Sequence, residues 1–187
     1  CSFLSMLGLL VIVVGVIAVG VIYASEYRSS ARRVEGPPLT AEMPPGYQLS
    51  AEQRAQVNRA GYPDAFSLLF YGEEAEDGTQ TTVRYEVWDY YALDRQVVFL
   101  NGKPQGEQAL DVGAVAPLPT SYRPEQFQAY MSLDQVVAAA QLGSYLAIPL
   151  EDELVAEGEI FYAGGLAFGL KDDQLLYIET FIGEAGE

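Results

Sequence analysis

Two acidic clusters hold the densest sets of chemistry-bearing side chains in this chain. One is Glu73, Glu74, Glu76 and Asp77; the other is Glu151, Asp152 and Glu153, followed by Glu157 and Glu159. Clustered carboxylates could gather oxygens around Ca²⁺ or supply the acid and base of a glycosidase. The first cluster lacks the D-x-[DN]-x-[DN]-G loop with its distant Glu and reads as a solvated hairpin tip. Nothing in the sequence sets a substrate groove beside the second, which reads the same way. Gly164-Gly165 and Gly169 lack the Lys-Ser/Thr ending of a phosphate loop. The expectation is no catalytic residue, no metal ligand and no cofactor.

Absences sharpen that expectation. The chain has no histidine, and its only cysteine is Cys1. A His-based triad, histidine-ligated haem, Cys/His zinc and any intrachain disulfide are thereby excluded. Cys1 is a possible lipidation site, as at the start of a mature lipoprotein. The alternatives are a tail lost ahead of it, which is preferred because the apolar run starts two residues later, and an inert thiol at the membrane interface.

The densest aromatic cluster is Tyr85, Trp88, Tyr90, Tyr91 and Phe99. Half of it should pack beneath a helix. Trp88, Tyr90 and Tyr91 are candidate protein-interface anchors if they face outward.

These residues need elements to position them. Residues 3–24 are 22 consecutive uncharged residues; a helix of that length spans about 33 Å, enough for a bilayer core. A single transmembrane helix over 1–25 is the reading. Gly8 and Gly15 share one face and Gly20 and Ala24 form a small-xxx-small pair on another, as candidate membrane-helix packing positions. Arg28, Arg32 and Arg33 argue by the positive-inside rule for a cytoplasmic C-terminal side. An acidic domain after one N-terminal span favours the opposite, an extracytoplasmic domain at the plasma membrane. Residues 26–48 read as a juxtamembrane and Pro-rich linker, with Pro37, Pro38, Pro44 and Pro45 making 34–48 an extended spacer.

From residue 34 onward, seven basic side chains face 25 acidic ones, a balance of −18. Such a surface repels phosphate backbones, which excludes nucleic acid as a partner. The rest reads as helix followed by strands, twice, over 49–118 and 119–187. Ser50 and Ser132 are N-caps with Gln53 and Gln135 in capping-box positions, and the helices end near Gly61 and Gly143. These pairs share an offset of 82 residues. Pro124-Glu125 suggests a short helical turn before the second helix. Strands are expected over 65–72, 81–91, 96–100 and 105–112, with a tight turn at Asn101-Gly102, and then over 159–163, 166–170 and 175–181. In 81–91, Val83, Tyr85 and Val87 fall on one face, and Arg84, Glu86, Trp88 and Tyr90 on the other. The expected fold class is α+β: an N-terminal transmembrane helix followed by two helix-plus-antiparallel-sheet repeats.

The helix Leu49 to Gly61, Trp88-Asp89-Tyr90 and the stretch Val98 to Lys103 resemble the BamE-like (SmpA/OmlA) small lipoproteins. Two such units in tandem look like the β-lactamase inhibitor protein. In the second unit Tyr162 stands near the expected Trp and the turn is Asp172-Asp173. The resemblance implies protein–protein contact and scaffolding at a membrane, with no catalytic residues to carry over. The expected role is a non-catalytic, single-pass accessory or scaffolding subunit of a larger membrane complex, an energy-transducing electron-transport or photosynthetic assembly being one setting. The expected partners are the membrane and other membrane-protein subunits. The alternative is a membrane-anchored extracytoplasmic binding or inhibitor module.

Overall fold

The computed structural model describes residues 32–35, 46–74, 78–110, 119–152 and 155–180. Strand β1 is Arg32–Glu35 and helix α1 is Ala51–Ala60; β2 (Ala65–Glu74), β3 (Gln80–Tyr90), β4 (Arg95–Leu100) and β5 (Lys103–Ala109) follow. Helix α2 is Leu133–Ala140, and β6 (Ser144–Asp152), β7 (Val155–Ala163), β8 (Leu166–Lys171) and β9 (Gln174–Thr180) complete the order. A 3₁₀ turn covers Pro124–Gln126, where Pro124-Glu125 suggested one.

Local chemistry sets both helix starts. Ser50 Oγ accepts from Gln53 N at 3.0 Å while Ser50 N donates to Gln53 Oε1 at 3.0 Å. The same reciprocal box joins Ser132 and Gln135. Each box satisfies two amides that a helix start otherwise leaves open. Gly61 caps α1 at φ 83°, whereas α2 stops at Ala140 with Gln141 left-handed, short of Gly143. Three tight turns rest on consecutive left-handed residues: Asn101-Gly102, Gly164-Gly165 and Asp172-Asp173. That geometry matches strand twist in hairpins.

Two separate helix-plus-sheet repeats do not form. The strands make one nine-stranded sheet in the order β1-β6-β7-β8-β9-β2-β3-β4-β5, with every neighbouring pair antiparallel. The join is β9 against β2, with Leu68 opposite Ile178. Two isolated sheets would leave both of those strands as open edges, and pairing them removes the liability. Residues from both halves accordingly enter one hydrophobic core. Across the sheet a single row of facing residues runs Ala147, Phe161, Phe168, Ile178, Leu68, Glu86, Phe99. All are buried.

Among the described residues no helix is long and apolar enough to cross a membrane. The run 3–24, with Gly8, Gly15, Gly20 and Ala24, and also Cys1, lies outside the described residues. Part of the expected spacer belongs to the fold. Val34 and Glu35 pair with Tyr145 and Ser144 on β6, and Tyr47 N donates to Glu125 O at 3.0 Å. Pro37, Pro38, Pro44 and Pro45 lie outside the described residues.

Candidate functional site

Alternation along β2 and β3 divides the sheet into two faces of different character. Phe66, Leu68, Phe70, Arg84, Glu86, Trp88 and Tyr90 are buried; Ser67, Leu69, Tyr71, Tyr85, Val87 and Asp89 are only half-buried. Both helices lie on the buried face. Gln53 of α1 reaches Glu86 there, and Val136 and Val137 of α2 enter the core beside Phe161 and Phe168.

The buried face contains a charged constellation. Arg84 Nε stands 2.9 Å from Glu86 Oε1, with the Glu86 side chain fully buried. Glu86 also accepts from Gln53 Nε2 at 2.6 Å and from Trp88 Nε1 at 3.1 Å. Arg84 donates to Phe127 O at 2.6 Å and to Pro124 O at 2.8 Å, and its guanidinium stacks 3.9 Å from the centre of the Tyr47 ring. Burial, then Glu86, raises the Tyr47 hydroxyl above its ordinary value. Buried charges cost several kcal/mol unless paired and hydrogen-bonded, and here they are both. The carboxylate is spent on its partners and has no path to water. Together, Glu86 through Gln53 and Arg84 through Pro124 O fix α1, the 3₁₀ turn and β3 to one another.

The Trp88–Tyr90 strip, expected as an interface anchor if it faced outward, is instead buried inside the fold. Trp88 is 0% and Tyr90 3% exposed. The Trp88 ring lies 4.7 Å from that of Phe99, and Tyr90 Oη donates to Gly61 O at 3.3 Å. Tyr91 is half-buried in a 3₁₀ turn, where its amide donates to Asp64 Oδ2 at 2.7 Å. The reason is register: the face bearing the polar pair Arg84 and Glu86 is the one the helices cover.

The opposite face is partly accessible: Val98, Ala167 and Ile148 on it are buried, while Leu69, Tyr85 and Leu100 are half-buried. One row of facing residues runs Leu100, Tyr85, Leu69, Tyr177, Gly169, Ile160, Ile148. A second runs Val98, Val87, Ser67, Glu179, Ala167, Tyr162, Leu146. No described helix covers either row. Leu146 is 42% exposed, and the tyrosines are half-buried. Burial raises the Glu179 carboxyl above the ordinary carboxylate range, against a lowering hydrogen bond from Tyr177. Burial first, and Glu179 next, raise Tyr177 in turn. Burial also lifts Asp89, although Gln96 Nε2 donates to its Oδ1 at 2.8 Å. The surface is thus apolar and tyrosine-rich, with carboxyl groups as its charged groups.

Of the acidic clusters, Glu73 stands near enough to Tyr71 on this face to raise its hydroxyl after burial does. Glu73 and Glu74 are exposed at the end of β2, and Glu76 and Asp77 lie outside the described residues. Glu151 and Asp152 end β6, Glu153 lies outside the described residues, and Glu157 and Glu159 belong to β7. Among the described residues no His, Cys, Asp and Glu side chains gather as a metal site. Tyr71, Tyr162, Tyr177 and Glu179 were the positions to find. Alternation in 81–91 separates the two faces, but the choice of the outer one depends on where the helices dock. Comparison with known protein families, curated proteins and solved structures finds no match to this chain.

Proposed function

We propose that this chain is a non-catalytic binding protein that acts at a membrane as an accessory or scaffolding subunit of a larger assembly. One observation carries the reading: the half-buried row Leu100, Tyr85, Leu69 and Tyr177, on the sheet face opposite the described helices. Tyrosine supplies large, rigid contact area with a polar tip, and it is enriched where proteins meet. A sheet face with this much half-exposed apolar surface is stabilised further when a partner excludes its water. The uncharged run 3–24 supports membrane attachment, with the body on the extracytoplasmic side. The likeness to BamE-like lipoproteins points to protein contact in the same way. A membrane-anchored inhibitor would use the same face, with one soluble target in place of a resident complex.

The test is co-purification of the full chain from membranes in mild detergent, alongside Leu69→Glu and Tyr85→Glu. Wild type should elute with stoichiometric partner chains, and each substitution should release it. As a control, Asn58→Glu on the exposed side of α1 should behave like wild type. Elution of wild type as a free 20.4 kDa monomer overturns the proposal. Capture only after a soluble protein is added favours the inhibitor reading.

A further inference from the structure

A recess lies on the helix side of the sheet, between α1 and β5. A cavity of about 600 Å³ opens between them over Val97, Phe99 and Pro104. It continues into a chamber of about 370 Å³ over Tyr90 and Leu93. Gln56, Arg59, Val97 and Glu107 line both, so the two form one groove. Its volume falls in the range of small-molecule sites, which are mostly apolar with a few polar groups that fix orientation.

The polar groups here are unusual for this chain. Beyond residue 34 there are only seven basic side chains, and Arg59, which lines both chambers, and Arg95, which lines the smaller, converge on Glu107. Both hold one carboxylate, Glu107, at 2.9 and 2.8 Å. The chain's own glutamate thus shows what this pair of guanidiniums takes. The side chains of all three are partly exposed, at 66%, 61% and 35% for Arg59, Arg95 and Glu107. A second carboxylate can reach them from solvent. Two arginines also keep an unsatisfied charge when a single carboxylate bridges them.

We propose that this groove binds an amphipathic monocarboxylate, a fatty-acid-like molecule with its acid on Arg59 and Arg95 and its alkyl chain along the exposed Ala55 and Pro104, above the buried Val97 and Phe99. A peptide fits less well. Its amides would lie over an apolar floor with no backbone partners. Pro104 and the shifted register between Val98 and Phe99 keep β5 from offering a regular edge for strand addition. A cationic amphiphile would have only Glu52 to meet, among the lining carboxylates not already held by arginine.

The test uses the full chain in phosphatidylcholine nanodiscs, titrated with octanoate. Readouts are the Val97 methyl shifts and the emission of Trp88, the only tryptophan, whose ring lies 4.7 Å from the Phe99 ring in the groove floor. Saturable binding is expected. Arg59→Ala and Arg95→Ala should each weaken it about tenfold, the loss expected for one charge-assisted contact. Glu107→Gln should tighten it, because the internal competitor loses its charge. Lys171→Ala, at the exposed end of β8, should leave it unchanged, and neither arginine lies in the sheet row probed by co-purification, so the two results stand apart. Non-saturable shifts, an equal response to octyltrimethylammonium or octanol, or arginine variants that bind like wild type overturn the proposal.

Discussion

Glu86 shows how one side chain can hold several elements together. It accepts from Gln53, Trp88 and Arg84, which ties α1 and two positions of β3 to one carboxylate. Glu86→Leu removes the acceptor and leaves the Arg84 charge buried without its counter-ion. The expected loss is about 3–5 kcal/mol in urea unfolding. Adding Arg84→Met should cost less than the sum of the single changes, because the stranded charge is gone, and a double-mutant cycle reads the difference. Tyr90 titrates in a region that can be probed separately. Burial pushes its hydroxyl from 10.0 to about 12. The folded chain then keeps a proton that the unfolded chain releases, so this contribution is complete below pH 10.0 and is lost as pH rises through about 12. Tyr90→Phe should flatten the fall in stability over that interval in alkaline denaturation. Tyr177, raised for the same physical reason, leaves a residual slope.

At the scale of elements, the β4–β5 turn and the start of α1 form a single unit. Ser50 Oγ caps α1 and donates to Gly102 O at 2.6 Å. Gly102 sits at φ 75°, and a Cβ there would stand 2.8 Å from Ser50 Cβ. Gly102→Ala therefore combines backbone strain with a collision against a helix cap. A loss of about 1–3 kcal/mol is expected, with faster amide exchange at Gln53 and Arg54 as the local signature. Ser50→Ala should cost about 1 kcal/mol or somewhat more, since it removes a cap and a tertiary hydrogen bond together. The strands show where sequence patterns fail. β2, β3, β4, β8 and β9 follow visible alternation or apolar runs. β6 carries Pro149 and was not expected, and β1 is four residues read as linker. Each pairs with a neighbour that local sequence does not reveal: β1 with β6, and β6 with β1 and β7.

At the scale of the molecule, continuity of the sheet makes a thermodynamic statement. Leu68 and Ile178, from opposite halves of the chain, face each other fully buried at the β2–β9 join. A core shared in this way should melt as one cooperative unit. Calorimetry should show a single transition, and Leu68→Ala and Ile178→Ala should each shift that same peak by destabilising about 2–5 kcal/mol. Two resolved peaks, with each substitution moving only one, would mean that the halves fold separately.

The residue order alone determined the capping boxes at Ser50 and Ser132, the Asn101-Gly102 turn and the alternation of β3. It also determined the absence of histidine chemistry and the strong negative charge. These depend on neighbours within a few positions, or on composition alone. Tertiary structure decided that β9 pairs with β2 and that β1 closes the β6 edge. It also decided that the face carrying Arg84 and Glu86 is the inner one. Alternation gives two faces without ranking them, and hydrophobicity points the wrong way when the buried face holds a charge pair. Only the docking of α1, through Gln53 onto Glu86, makes that pair cheaper inside than out, and so sets the tyrosines, half-buried, on the other face.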